Sequence, residues 1–543
     1  MPVNAGFVGD PPRKHIDAST MERRSPRGEP TAELVPALTI AAHPDPARVG
    51  ARLVLEGLAA GGEVQISRRS PDFHHAGSAL GAPLADVFMS RRPIRIASAP
   101  GHRIRIVSDD GTAVAVDGVE RDEVELGPLA PGGGVPIALA DRILLVLHLV
   151  EPGAPADVDP MGMIGSGLGI SRLRRAIAQI SDLAVPVLIR GETGTGKELV
   201  ASALHARGPR RHGPFVSVNL ATIPRELASA ELFGAVRGAY TGAARDREGY
   251  FRAADGGTLF LDELGEASPE VQARLLRVLE TGELYPVGGD APVAIDVRVL
   301  AATDADLDNQ IRDGRFKAPL LHRLAGHELY LPPLRERSED IGLLFHHFAR
   351  EELASIGEAD RREPGDPDTE PWLPLSIALR LVRYHWPGNI RQLRNVTRQL
   401  VIGSRGQPHL QLPARLAAEL DAHATSATVA ADASLDVTAA KPPPAARRRP
   451  AEITEPELIA ALRARAWDLK AAADHLGIPR ASIYDVIARS PNVRTAGDLS
   501  PAEIERCHRE CAGDLDRMAE RLEVSRRALR RRVKELGLKI AKG

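Results

Sequence analysis

Gly191-Glu192-Thr193-Gly194-Thr195-Gly196-Lys197 places two glycines around four residues and ends in lysine. An apolar stretch, Val185–Leu188, precedes it and a helical pattern, Leu199–Ala206, follows. That order suits a phosphate-cradling loop. Glycines let backbone N–H groups converge on phosphate oxygens, the helix start adds its positive end, and Lys197 neutralises β- and γ-phosphates. Position 198 is Glu, where the general pattern carries a hydroxyl for Mg2+. Downstream, Gly256-Gly257-Thr258-Leu259-Phe260-Leu261-Asp262-Glu263 is an apolar run that delivers two carboxylates at its end. Ligands of α/β proteins sit at such strand ends. Asp262 is placed there to hold Mg2+, and Glu263 to polarise a water for in-line attack on a γ-phosphate. Gly191 to Glu198 and Asp262 are therefore the candidate nucleotide-binding residues, and ATP hydrolysis is the chemistry they imply.

Such a site needs a parallel sheet. From Met161 to about Arg405, apolar strands (Leu259–Leu261, Val297–Ala302) alternate with helical segments such as Val271–Leu279, the signature of crossover connections. Helical patterns at Ile377–Tyr384 and Ile390–Val401 predict an all-helical lid over about 335–405. Ahead of this region, residues 37–150 break into short β-like stretches parted by Gly-rich turns, which predicts a β-sandwich. Residues 1–32 read as a disordered polar lead, Pro152–Asp159 as a link, and 421–450, ending in KPPPAARRRP, as a linker. The last ninety or so residues are all-α in pattern and repeat at an offset of 46, with Glu457, Arg463, Leu476 and Arg480 recurring as Glu503, Arg509, Leu522 and Arg526. Two copies of one small helical unit, 452–490 and 499–540, are expected.

Composition narrows the class. The 543 residues are 43% apolar and 26% charged, which excludes a wholly disordered chain. A net charge of -2 confines any nucleic-acid surface to a local patch. Cys507 and Cys511 are the two cysteines, too few for a disulfide scaffold or a four-cysteine zinc site, and chance placement on a helix accounts for them. Aromatic residues make up only 3%, against a base-stacking single-strand binder. The first thirty residues lack the apolar core of a signal peptide, and no apolar run approaches the ~18 residues of a membrane helix. A cytoplasmic protein with no membrane contact is the expectation.

Taken together, these residues resemble the bacterial enhancer-binding activators of sigma-54 RNA polymerase, which are AAA+ ATPases. The resemblance spans about Ile164 to Leu412, and again the C-terminal helical units. Its most specific element is Glu231-Leu232-Phe233-Gly234 followed by Gly238, Ala239, Tyr240, Thr241, Gly242 and Ala243. This is similar to the family's GAFTGA loop, with Tyr for Phe, and it implies a sigma-contacting tip that moves with the nucleotide state. Asn219 in FVSVN resembles the family's switch asparagine, implied to hydrogen-bond the catalytic Glu263. Leu331-Pro332-Pro333-Leu334-Arg335-Glu336-Arg337 with Glu339-Asp340-Ile341 matches a family signature. Trp386-Pro387-Gly388-Asn389-Ile390-Arg391 resembles the lid motif, which implies that Arg391 senses the γ-phosphate. The family's two arginines that enter the neighbouring subunit's site fall on Lys317 and Arg323, so a homo-oligomeric ring is implied. Lys keeps the charge without the planar fork. Thr303-Asp304 stands where the family has Thr-Asn.

Both ends carry resemblances too. Ala471 to Tyr484 is similar to the Fis-type helix-turn-helix, implying that Arg480, Ser482 and Tyr484 face double-stranded DNA. The second copy offers Arg526, Arg527 and Arg530, and Glu523–Gly543 has a net charge of +6. Residues 37–150 resemble a forkhead-associated (FHA) domain, with Arg68, Ser90 and Arg91 implied to grip a phosphothreonine protein. The expected protein is an ATP-dependent activator that binds upstream DNA and remodels sigma-54 holoenzyme. The rival expectation is a DNA-binding regulator whose ATPase is weak or vestigial.

Overall fold

Five parallel strands form the central sheet, in the order Phe215–Asn219, Thr258–Asp262, Arg298–Thr303, Val187–Arg190 and His327–Tyr330. The molecule is a computed structural model that describes residues 34–422 except 60, 109–110, 153–158, 240–244 and 363–369, and parts of 453–538. The expected lead at 1–32 and nearly all of the linker at 421–450 lie outside the described residues. Asp421 does not belong to that linker: it lies in a helical segment and pairs with Arg380 at 2.8 Å.

The three inner strands of this sheet are nearly continuous apolar runs because helices cover both faces. Leu261, Ala301 and Leu188 point to one side, against Leu275 and Leu320. Phe260, Leu300 and Ile189 point to the other, against Ile177 and Val200. Helix Pro269–Thr281 shows how locally these elements are specified. Ser268 caps it by accepting from the Val271 N–H, Pro269 opens its first turn, and Gly282 closes it in the left-handed region at φ 69°.

The N-terminal region is two antiparallel sheets of eight and four strands that share one core, built from residues such as Leu38, Ile40, Ile96, Ile106 and Leu145. Strand Val135–Leu139 does not stand out in the sequence, because Pro136 interrupts its pattern. The proline is tolerated because its carbonyl accepts from Asp117 N–H, just where the neighbouring strand Val114–Val116 ends, so no donor is required of it.

The outer face of the eight-stranded sheet is not exposed. Ala41, Ala42, Ala138, Leu144 and Val146 pack into one apolar cluster with Ile341, Leu344, Phe345, Ile377 and Leu381 of the lid helices Ile341–Ser355 and Leu375–Arg383. Arg383 pairs with Asp117 at 2.9 Å beside it. Beneath the seam lies a buried polar knot. Arg52 donates to Thr39 and Ser166, and Asp340 accepts from the Ser166 and Gly167 N–H groups and from Arg337. Strand and helix backbones come so close that a Cβ on Gly342 would lie 2.0 Å from the Ala41 carbonyl oxygen. Gly342→Ala is therefore expected to destabilise the protein by about 1–3 kcal/mol, the usual cost of overpacking. A thermal unfolding scan checks this, and an unchanged midpoint would show that the seam opens freely.

Residues 437–543 form a second unit. Its described helices are Glu455–Ala464, Pro501–Glu510 and Leu515–Leu522. They build two small cores whose members correspond at the offset of 46, with Leu458, Ala461, Ala472 and Ile483 matched by Ile504, Cys507, Met518 and Leu529. The caps correspond as well, since Glu457 accepts from Thr454 and Glu503 from Ser500. Burial and Cys511 push the Cys507 thiol up to about 11, as befits packing rather than reactivity. No described helix is long and apolar enough to cross a membrane.

Candidate nucleotide site

Four neighbouring strands end at one edge of the sheet and deliver Asn219, Asp262-Glu263, Thr303-Asp304 and the Gly191–Lys197 loop together. The loop is held in shape by its own bonds. Thr195 Oγ1 donates to the Glu192 carbonyl at 2.7 Å, and Lys197 Nζ donates to the Gly191 carbonyl at 3.0 Å. Gly194 and Gly196 take φ of 82° and 106°, which a Cβ would strain. Gly196 caps helix Lys197–Arg207, so the helix N-terminus faces the loop's concavity. Lys197 is buried and Glu198 is exposed in the first turn.

Glu263 leaves the strand at φ 54°, ψ 47°, a costly conformation of the kind found at functional sites. Burial pushes its carboxyl above the ordinary value, Lys197 opposes this, and Asp304 and Asp262 add to the rise. Asp262 Oδ1 accepts from the Glu263 N–H at 3.0 Å. The asparagine expected at Glu263 instead donates to Asp262: Asn219 Nδ2 lies 3.4 Å from Oδ2, while its carbonyl oxygen caps a short 3-10 turn at Ala221. That cap fixes the amide's direction, which the sequence does not reveal. The hard oxygens of Asp262 fit a hydrated Mg2+, for which this carboxylate would be the holding group and whose charge would be shared with the phosphates. Asp304 lies in the same cleft, where its Oδ2 accepts from Thr193 Oγ1 at 2.5 Å.

The lid closes on the loop directly. Ile390 and Arg391 N–H groups reach the Gly194 carbonyl at 3.0 and 3.3 Å, which puts Arg391 at the mouth of the cleft. Asn389, fully buried at φ 50°, donates to Glu192 and to the Thr193 carbonyl, both at 3.1 Å. Glu192 thus contributes its backbone to the loop while its side chain turns to the lid. Its partner Arg335 and the bridging Asn389 had no assigned role in the sequence, although both stand in the recognised motifs. Lys317 and Arg323 are exposed on helix Ala318–Leu324 and its N-cap. Gln272 accepts from the Lys317 N–H, and Arg323 reaches the Leu279 carbonyl.

Gly238 and Ala239 are described, whereas Tyr240, Thr241, Gly242 and Ala243 are not. The stem below them is firm. Ala235 and Arg247 exchange both backbone bonds, and Val236 and Gly234 pair with Val287. At one end of the N-terminal sheets Arg68 and Ser90 share a long backbone contact of 3.5 Å, and Ser90 N–H donates to Thr112 Oγ1, with Arg91 exposed next to it. Arg480, Ser482, Tyr484, Arg526, Arg527 and Arg530 lie outside the described residues.

Residues 163–330 match the sigma-54 interaction domain and 335–432 the AAA+ ATPase lid domain. The DNA-binding transcriptional regulator NtrC of Azospirillum brasilense is 36% identical over 454 residues, which cover 82% of this chain and 84% of that protein. The chain belongs to the NtrC-like bacterial enhancer-binding proteins. NtrC of Salmonella typhimurium is 44% identical over 287 residues, 52% of this chain and 58% of that protein, so the chain spans about three fifths of that relative. The anaerobic nitric oxide reductase transcription regulator NorR of Aeromonas salmonicida is 41% identical over 304 residues, 55% of this chain and 57% of that protein. Among solved structures, NtrX from Brucella abortus in complex with ATP aligns at 28% identity over 69% of this chain and 70% of its own, with a TM-score of 0.42. Membership in this family makes the cleft an AAA+ ATPase site.

Proposed function

We propose that this chain uses ATP hydrolysis to activate transcription by the sigma-54 RNA polymerase holoenzyme. The observation that carries the reading is the short covalent path from cleft to loop stem. Asn219, in contact with Asp262, runs through the turn Leu220–Thr222 and helix Arg225–Phe233 straight into the pinned stem at Gly234. A change at the phosphates therefore has a rigid element through which to move the sigma-facing tip at Tyr240 and Thr241. Lys317 and Arg323, exposed on one helix, serve the neighbouring subunit's cleft in a homo-oligomeric ring. The two units at 452–490 and 499–540 are Fis-type helix-turn-helix copies that hold double-stranded DNA upstream of the promoter. Residues 37–150 act as an FHA-like receiver of a phosphothreonine protein, and the whole works in the cytoplasm with Mg2+ at Asp262.

Open-complex formation on a sigma-54 promoter, with the purified full chain and ATP, tests the reading. Hydrolysis without open complexes would assign the ATPase to another client. The input is tested separately. Arg91→Ala should cost at least about tenfold in affinity for a phosphothreonine peptide, given the strength of charge-assisted bonds. Calorimetry showing equal binding of phosphorylated and unphosphorylated peptides would leave the domain a docking module.

A second reading rests on Asp304. An anionic group bonded to Thr193 inside a phosphate cleft opposes a polyphosphate, which favours a DNA-binding regulator with weak hydrolysis. A steady-state ATPase assay separates the two.

A further inference from the structure

The phosphate loop contains a carboxylate that works against its purpose. Glu192 is the second residue of a loop that attracts anions through converging N–H groups, and a free carboxylate there would repel a polyphosphate or compete with it for those donors. Arg335 deals with it. Its fork spans the carboxylate, with Nη1 at 2.9 Å from Oε2 and Nη2 at 2.7 Å from Oε1. This bond is the largest influence on the Glu192 carboxyl and holds it below its ordinary value, with Asn389 adding to the effect. The geometry is over-determined from the lid side. Leu334 N–H donates to Asn389 Oδ1 at 2.8 Å, so the residue before Arg335 is tied to the same asparagine that holds Glu192 and Thr193.

We propose that Arg335 is a positioning residue for the nucleotide, drawing the Glu192 carboxylate to the lid side of the phosphate loop so that the loop's N–H groups are left to the polyphosphate. The proposal rests on the cleft being the ATP site. It assigns Arg335 no contact with ATP and requires the planar fork, because an ammonium lacks the rigid coplanar pair of donors that holds both carboxylate oxygens in one orientation. It also makes affinity, rather than chemistry, the quantity that Arg335 controls.

Titration of the full chain with Mg2+-ATP, alongside steady-state kinetics, tests this. Arg335→Ala should weaken ATP binding about tenfold or more, with KM rising by the same factor and kcat changing much less. Arg335→Lys should fall between parent and alanine. Glu192→Gln, introduced into the Arg335→Ala background, should recover most of the lost affinity, because the unpaired charge is gone. A residue that only braced the fold would not be rescued in this way. Unchanged affinity in Arg335→Ala, or a double variant as weak as the single, overturns the proposal while leaving the ATP site intact. A parental chain that binds no ATP overturns the site itself and the proposal with it.

Discussion

Glu263→Gln should bind ATP as tightly as the parent yet turn it over at least about a hundredfold more slowly, the usual loss when a positioned base is removed. The amide keeps the size and the hydrogen-bonding reach of the side chain but cannot take up the proton of the attacking water. Binding should survive because the groups proposed to face the phosphates are elsewhere: Lys197, the Gly191–Gly196 loop and the N-terminus of helix Lys197–Arg207. Lys197→Ala supplies the contrast. It removes the one buried ammonium in that loop, so affinity itself collapses. Phosphate release measured beside nucleotide titration separates the two effects. Parental turnover in Glu263→Gln would move the base to another residue.

Thr241→Ala should leave hydrolysis within about twofold of the parent and reduce open-complex formation at least about thirtyfold, the scale of a hot-spot contact. The stem proposed to link this loop to the cleft is held by bonds among the described residues. Its backbone bonds join Gly234, Ala235 and Val236 to Arg247 and Val287, and Arg237 N–H adds a bond to Asp246. Removing one hydroxyl and one methyl from the proposed sigma contact should therefore alter what the loop grips rather than how it is driven. ATPase and promoter-opening assays on the same preparation give the answer. Parallel loss of both activities would place the loop within the catalytic cleft.

What could be read from the sequence is what the chain keeps local. The residues 191–198 and 256–263 each sit on a strand end and a turn, so spacing alone announces their chemistry, and the sheet that brings them together follows from strand–helix alternation. The lid's part in the site was hidden by distance. Arg335 meets Glu192 across 143 residues and Asn389 meets it across 197, and no period or composition links such pairs. Asn219 was recognised by its motif, but its direction depends on a cap at Ala221 that only the folded turn reveals. Pro136 concealed a strand because a missing N–H usually marks an edge, and here the neighbouring strand simply stops first. The shared seam was illegible for a different reason. Ala41 and Ala138 are small residues on a face that alternation assigns to solvent, Ala42 joins them only through a register shift after Ile40, and their partners on the lid make all three core.

That seam bears on how such a protein can be re-engineered. An input module that hangs from a flexible tether can be cut away or exchanged, leaving its motor behind intact. Here a cut at 153–158 would strip the cover from Ile341, Leu344, Phe345, Ile377 and Leu381, and leave Arg383 without Asp117. The truncated motor would present a sticky face, and its behaviour would report aggregation as readily as release from control. A foreign sensor grafted at the same point would work only if the lid face were redesigned with it. For this chain, interchangeable parts end inside the lid, not at the link between the domains.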